Sequence, residues 1–416
     1  MPATGWRGMV RPAPGEHMPL EIALDDPAFY VDDPHPAYRQ LREEAPVYWY
    51  EPGKYWAVSK HADILHVSRN PGRFRSGGGV LANNDPIRLQ GRNIETMPQA
   101  KAPSIIFMDP PEHNRYRRIV THAFTPRRIA ALETRMREIV RHCLDAIPSG
   151  RTVNFVDQLS VPLPMLVIAE MLGIPTEDHG QFRKWSDTVV EAAERFQEDT
   201  LQSIGEFFAY LQARIDERRA APGDDLISVL IEAEVDGERL AAGDILLFCQ
   251  TLLVAGNETT RNLISGGALA LLEHPDQRDA LIADPSLIPD AVEEMLRWVT
   301  PISSFARTAT EDCELRGQPI AAGDYLVMLY ASANRDEEAW GATAGEFDIA
   351  RRADVTHLAF GFGQHMCLGA NLTRLEARVL FEELLQRRPH FHRAGDVVRL
   401  RSTLMNGIVE LPVVFD

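Results

Sequence analysis

Along most of its length the chain sets apolar residues three and four positions apart, the spacing that gives a helix one dry face and one wet one. That period predicts helices near residues 112–124, 127–146, 155–172, 180–219 (as two), 224–234, 240–272, 275–283 and 286–299. The first is basic and is stopped by Thr125-Pro126. The segment Ala241–Leu272 runs without proline until His274-Pro275. Globular helices average about 11–12 residues, so a helix of this length is expected to cross the centre of the body. A further amphipathic period, Leu368–Gln386, predicts a last helix.

Short strand-like stretches gather towards the ends. Tyr48–Val58 reads as a hairpin about Pro52-Gly53, Cys313–Tyr330 as strands joined at Gly317-Gln318-Pro319 and Gly323-Asp324, and Val397–Val414 as a closing pair. Between Ala331 and Gln364 no period is sustained, and an irregular passage that long in a compact body predicts a functional loop. The first 35 residues, rich in proline and acid, are expected to form an irregular leader that begins to pack near Tyr30. No repeat, low-complexity tract or linker divides the remainder. Residues 36–416 are therefore expected to be a single large domain, mainly α with small β-sheets.

Composition works by exclusion. At 416 residues and 45% hydrophobic content the chain can bury a substantial core. A formal charge of −17 argues against nucleic-acid binding, which rests on clustered Lys and Arg. Residues Met1–His17 contain no apolar signal core, and the longest apolar stretch, Ile245–Ala255, is interrupted by Gln250. No membrane anchor is expected, and a cytoplasmic protein follows. The four cysteines, Cys143, Cys249, Cys313 and Cys367, stand far apart, so neither a zinc ribbon nor an iron–sulfur set is present.

One cysteine sits in an unusual setting, the loop Phe360-Gly361-Phe362-Gly363-Gln364-His365-Met366-Cys367-Leu368-Gly369. The glycines allow positive φ and close backbone approach. A helix starting just after Cys367 would favour its thiolate. An inert buried cysteine, a nucleophile and a metal-binding thiolate are all compatible with that placement. Only the last accounts for the glycine loop, the helix start and the solitary ligand together. In the long helix, Ala255, Gly256 and Thr259 share a face beside Glu258. The helix is thinnest there, and a Thr259 hydroxyl bonded to the carbonyl four residues back would loosen it. A groove flanked by a hydroxyl and a carboxylate suits proton delivery, while a tolerated weak spot or a helix–helix contact is the alternative. Glu294 and Arg297 at i, i+3, and His113 and Arg117 at i, i+4, are each single-face pairs of a kind common on solvated helices.

Taken together, these motifs resemble the cytochrome P-450 family of soluble bacterial haem-thiolate monooxygenases, from about Pro34 to the C-terminus. The Cys367 loop matches the family's haem-binding pattern at every fixed position. Glu294 and Arg297 match its Glu-x-x-Arg helix, and Phe347-Asp348-Ile349-Ala350-Arg351 its irregular meander. The resemblance implies the cytochrome P-450 fold and haem b, with Cys367 as axial iron ligand and Phe360, Gly361, Gly369 and Ala255 against the cofactor. His113, Arg117, Arg307 and His365 would meet the propionates. Thr259 and Glu258 would govern protonation of the distal oxygen, and Glu294, Arg297 and Arg351 would form a structural cluster behind the haem.

The same resemblance implies a monooxygenase that inserts one atom of dioxygen into an apolar small molecule, with sterol, lipid or terpenoid-like substrates favoured. Expected pocket walls are the loop Ser76–Ile105 with Leu81, then Val254, Ile302, Ser303 and Phe305, and Met405. Electrons would come from a ferredoxin and its reductase, docking near Cys367 where Arg115, Arg118 and Arg127 could meet an acidic donor. A monomer is expected. Two alternatives keep the haem: a gas or redox sensor without turnover, and a peroxide-driven oxygenase.

Overall fold

The long helix is where the expected pattern and the structure coincide most closely. In the computed structural model, which describes residues 22–82, 104–194, 200–235, 237–351 and 354–416, it spans Ala242–Glu273. Its start is held by Asp244, whose side chain accepts from the Ala241 N–H at 3.0 Å, and its end falls at His274 because Pro275 cannot continue it. Its second half is buried nearly all round. At Gly267 a Cβ would meet Met295 Sδ at 2.8 Å and Phe381 Cζ at 3.1 Å, so a missing side chain lets three helices converge there. The other two are Ile288–Val299 and Ala370–Arg387.

The remaining predicted helices are present, with shifts at their ends. The basic helix is Glu112–Thr121, followed by a 3-10 turn His122–Phe124. The next prediction divides at Leu132 into Pro126–Ala131 and Glu133–Asp145. Two helices were not expected, His35–Glu44 and His61–Arg69. Each buries only a few apolar side chains, too few to set up a period.

The main sheet orders its strands Val47–Tyr50, Tyr55–Val58, Tyr325–Leu329, Ser304–Ala309 and Phe74–Arg75. Only the Tyr55–Val58 and Tyr325–Leu329 pair is parallel. The expected closing pair is corrected: Val398–Arg399 pairs with Ile408–Glu410, whereas Pro412–Phe415 lies between Phe391–Arg393 and Thr152–Asn154. The leader is shorter than expected, because Ile22 and Leu24 are already buried beside Tyr38, Tyr50 and Tyr55. Most of the loop Ser76–Ile105 lies outside the described residues. Among those described, no helix is long and apolar enough to cross a membrane.

Candidate functional site

Cys367 is fixed by its own backbone. Its N–H donates to the Phe360 carbonyl at 2.9 Å, and the backbone of Gly369 hydrogen-bonds its sulfur. Gly361 and Gly363 take φ of +64° and +74°. At Gly363 a Cβ would stand 2.4 Å from the Ser68 carbonyl oxygen, so only glycine lets the loop lie flat on the helix His61–Arg69. Arg117 donates to the Met366 carbonyl at 2.8 Å, and Arg374 stacks over the Phe360 ring at 4.6 Å. The final helix begins at Ala370, later than expected, leaving Cys367 outside its first turn. Burial pushes the thiol pKa up, against the pull of the Gly369 backbone, Arg117 and Arg374.

Cys367 keeps exposed surface although protein surrounds it, as does Ala255 in the long helix between buried Leu253 and Asn257. Side chains of this kind line internal space. Thr260 Oγ1 lies 3.4 Å from Thr373 Oγ1, which sets the Ala255–Thr259 turn beside the helix that follows Cys367. Thr259 Oγ1 donates to the Ala255 carbonyl at 2.6 Å, as the sequence predicts. Glu258 departs from expectation. It is buried and its carboxylate pairs with Arg261 at 2.5 Å, so the acid is engaged within the helix instead of flanking an open groove.

A basic cluster forms at the opposite edge. His113 is buried, its ring 4.2 Å from that of His365. Gln364 Nε2 lies 2.8 Å from His113 Nδ1; with the amide donating, the ring proton sits on Nε2, which is buried and has no partner. Arg307 is buried and donates to the Ala306 carbonyl; among the described residues no carboxylate pairs with it. His365 is already committed, with Nε2 3.1 Å from Ser76 Oγ and a second bond to the Met108 backbone. Burial, helped by Arg307, His113 and Arg117, pushes its pKa down to about 3, and burial also lowers that of His113. A buried N–H without a partner, beside two guanidinium groups that meet no carboxylate among the described residues, is a site shaped for an anion, and haem carries two carboxylates.

Behind the loop, Glu294, Arg297 and Arg351 come together as expected. Arg297 holds Glu294 through two 2.7 Å bonds and donates to the carbonyls of Asn334, Ala344 and Glu346. Arg351 reaches Glu294 at 3.3 Å. Of the expected pocket residues, Ile302 and Ser303 meet the Leu404–Met405 turn, and Leu81 packs beside the sheet. Ile302 bridges Met405, the Ser303 N–H donates to Leu404, the Ala306 N–H donates to Val80, and the Leu81 carbonyl accepts from Tyr325. Phe305 packs edge-on to Tyr330, while Val254 is half-buried on the long helix. Arg115 pairs with Glu238 at the surface, both side chains remaining well exposed.

Residues that the sequence did not flag are Ser76, Asp109, Gln364 and Arg261. Asp109 accepts from the N–H groups of Ser76 and Gly77 at 2.7 and 2.8 Å and so delivers Ser76 to His365. No spacing along the chain joins residues 33 positions apart. Gln364, by contrast, stood inside the glycine loop and could have been suspected from its amide.

Comparison with known proteins agrees with this geometry. The sequence model of the cytochrome P450 family matches residues 180–391. Linalool 8-monooxygenase of Pseudomonas putida is 38% identical over 403 residues, covering 94% of this chain and 98% of that protein. A methyl-branched lipid omega-hydroxylase of Mycobacterium tuberculosis is 39% identical over 410 residues, covering 94% and 92%. Among solved structures, cytochrome P450 CYP109Q5 from Chondromyces apiculatus superposes with a TM-score of 0.84 at 38% identity, covering 95% of this chain and 98% of that one.

Proposed function

The chain belongs to the cytochrome P450 family and is a haem-thiolate monooxygenase, and on that premise we propose that Cys367 is the residue that would bind the haem iron. The observation that carries this reading is the single sulfur held by Phe360 and Gly369, directly after a loop turned by two glycines of positive φ, Gly361 and Gly363. Bound haem supplies dioxygen activation and oxygen insertion. The unpartnered His113 Nε2, with Arg117 and Arg307, receives its propionates, and His365 supports the His113 ring from behind. With haem bound, the Gly369 backbone together with Arg117 and Arg374 would stabilise Cys367 as a thiolate.

Thr259 lines the groove with its proton directed to Ala255 and its lone pairs outward. Its Oγ1 accepts a hydrogen bond from water or ligand in that state. A rotation away from Ala255 lets it pass a proton inward. Glu258 refills that site when its carboxylate swings from Arg261. Phe360, Gly361, Gly369 and Ala255 give the cofactor flat, small-sided walls. Leu81, Val254, Ile302, Ser303, Phe305 and Met405 give the substrate a largely apolar chamber, which fits a terpenoid or branched-lipid molecule of the kind named for the relatives.

The cofactor on this reading is haem b, and the electron donor a ferredoxin served by its reductase, acting on a cytoplasmic monomer. A depression of about 300 Å³ lined by Pro126, Ile129, Arg374 and Arg378 lies beside the first turns of the final helix and supports docking there. Arg127→Glu should slow first-electron transfer and flatten its salt dependence; unchanged rates would reject this face. The central test is reduction under carbon monoxide. Wild type should give a thiolate-type Soret band and Cys367→Ser should lose it; an unchanged band in the variant would reject the ligand assignment. No specific observation favours a sensor or a peroxide-driven enzyme.

A further inference from the structure

On the side of Thr259 the long helix carries one more hydroxyl group, that of Thr251, and the chain brings Ser104 against it. Thr251, Ala255 and Thr259 follow one another at i, i+4 and i+8 on one side of the helix, and all three keep exposed surface. Thr251 Oγ1 donates to the Leu247 carbonyl at 2.8 Å, and Ser104 Oγ lies 3.1 Å from Thr251 Oγ1. Because the Thr251 proton is directed to Leu247, Ser104 is the donor in that contact. Its own oxygen then has lone pairs to offer, and a rotation turns its proton outward. The neighbours Leu252 and Val254 are apolar, and no charged residue stands on this stripe from 251 to 259 apart from buried Glu258, which is paired with Arg261.

From this juxtaposition we propose that the Ser104–Thr251 hydroxyl pair is a substrate anchor that takes one uncharged oxygen, an alcohol or a carbonyl, and thereby selects the carbon to be oxidised. The reading rests on the oxygenase assignment above. Four and eight residues of helix rise correspond to roughly 6 and 12 Å. An oxygen held at Thr251 therefore places the reacting carbon that distance away, against Ala255–Thr259. The substrate class is an apolar molecule with a single oxygen function at one end and oxidation toward the other. Carboxylates and ammonium groups are excluded, since neutral hydroxyls cannot compensate their desolvation.

The test compares medium-chain primary alcohols with alkanes of equal length, titrated into the haem-loaded protein and followed by the spin-state shift of the Soret band. Wild type should bind the alcohol about three- to tenfold more tightly than the alkane, the range of one net hydrogen bond. Ser104→Ala should erase that preference while leaving alkane affinity in place, and Ser104→Thr should restore it. Thr251→Val, close in shape, should give the same loss. Product analysis should show the oxidised position counted from the alcohol oxygen in wild type and scattered in Ser104→Ala. Alcohol and alkane affinities that fall together, or a preference that survives both variants, would overturn the anchor. Loss of the thiolate-type band would instead refute the assignment on which it rests.

Discussion

The hydroxyl of Thr259 donates to the carbonyl oxygen of Ala255 at 2.6 Å, inside the same helix. The helix stays continuous through this turn, and the bond holds a proton one rotation away from use. Thr259→Ala should keep haem and the thiolate-type band. Product formed per electron consumed should fall by up to about a hundredfold, the scale of lost acid–base assistance, with peroxide rising to match. Thr259→Ser should recover most of the yield. Coupled turnover in the alanine variant would show that proton delivery takes another route.

The His113 prediction concerns cofactor retention. A neutral imidazole with an unpartnered, buried Nε2 donor should grip a carboxylate. Hydrogen bonds to charged groups contribute about 1.5–3 kcal/mol, so His113→Phe should lose haem to a scavenging protein roughly 10- to 100-fold faster. Gln364→Leu, which frees the ring tautomer, should act in the same direction by a smaller factor. Equal haem-loss rates in all three proteins would remove His113 from the propionate site.

Breaking the Arg297 cluster should be expensive. All five of its N–H donors are used, and the side chain is 1% exposed. Arg297→Ala leaves Glu294 buried without its main partner, for which about 3–5 kcal/mol is expected. Denaturant melts should show that loss, and the Glu294→Gln/Arg297→Met double variant should lose less than the sum of its parts. Strict additivity would mean that the two residues act independently.

Glu376 gives the protein an alkaline sensitivity. It is 1% exposed in the final helix, bonded to Thr260, and burial pushes its pKa up to about 8. Its folded value thus lies above the ordinary carboxylate range. The stability associated with its neutral form is complete below about pH 4.5 and declines as pH rises towards 8, with a slope approaching 1.4 kcal/mol per pH unit, about one proton's worth. Glu376→Gln should flatten that decline. Parallel stability–pH curves for wild type and variant would show that the carboxyl ionises without cost.

How much of this could be read from the chain depended on how the signal was carried. Residues 242–273 announced themselves because thirty-two positions run without proline until Pro275 ends them. The Cys367 loop was legible because its glycines and sulfur are contiguous. The helix His35–Glu44 was not, since Tyr38 and Leu41 are its only buried apolar residues. Glu258 was placed correctly along the sequence and wrongly in space. A 100° turn per residue carries it off the face of Thr259, and its pairing with Arg261 follows from i, i+3 geometry that charge spacing alone left ambiguous. Asp109 and Ser76 remained invisible because their link is purely tertiary.

The three carbonyls that Arg297 gathers belong to residues 37, 47 and 49 positions further on, all in the stretch without helical or strand period. One guanidinium thus ties that stretch at three points, beside bonds with Gln277, Glu294 and Arg351. A cofactor arriving at the finished chain therefore meets a mould already cast, and need not lend binding free energy to setting it. Haem uptake by the apoprotein should resemble docking more than folding.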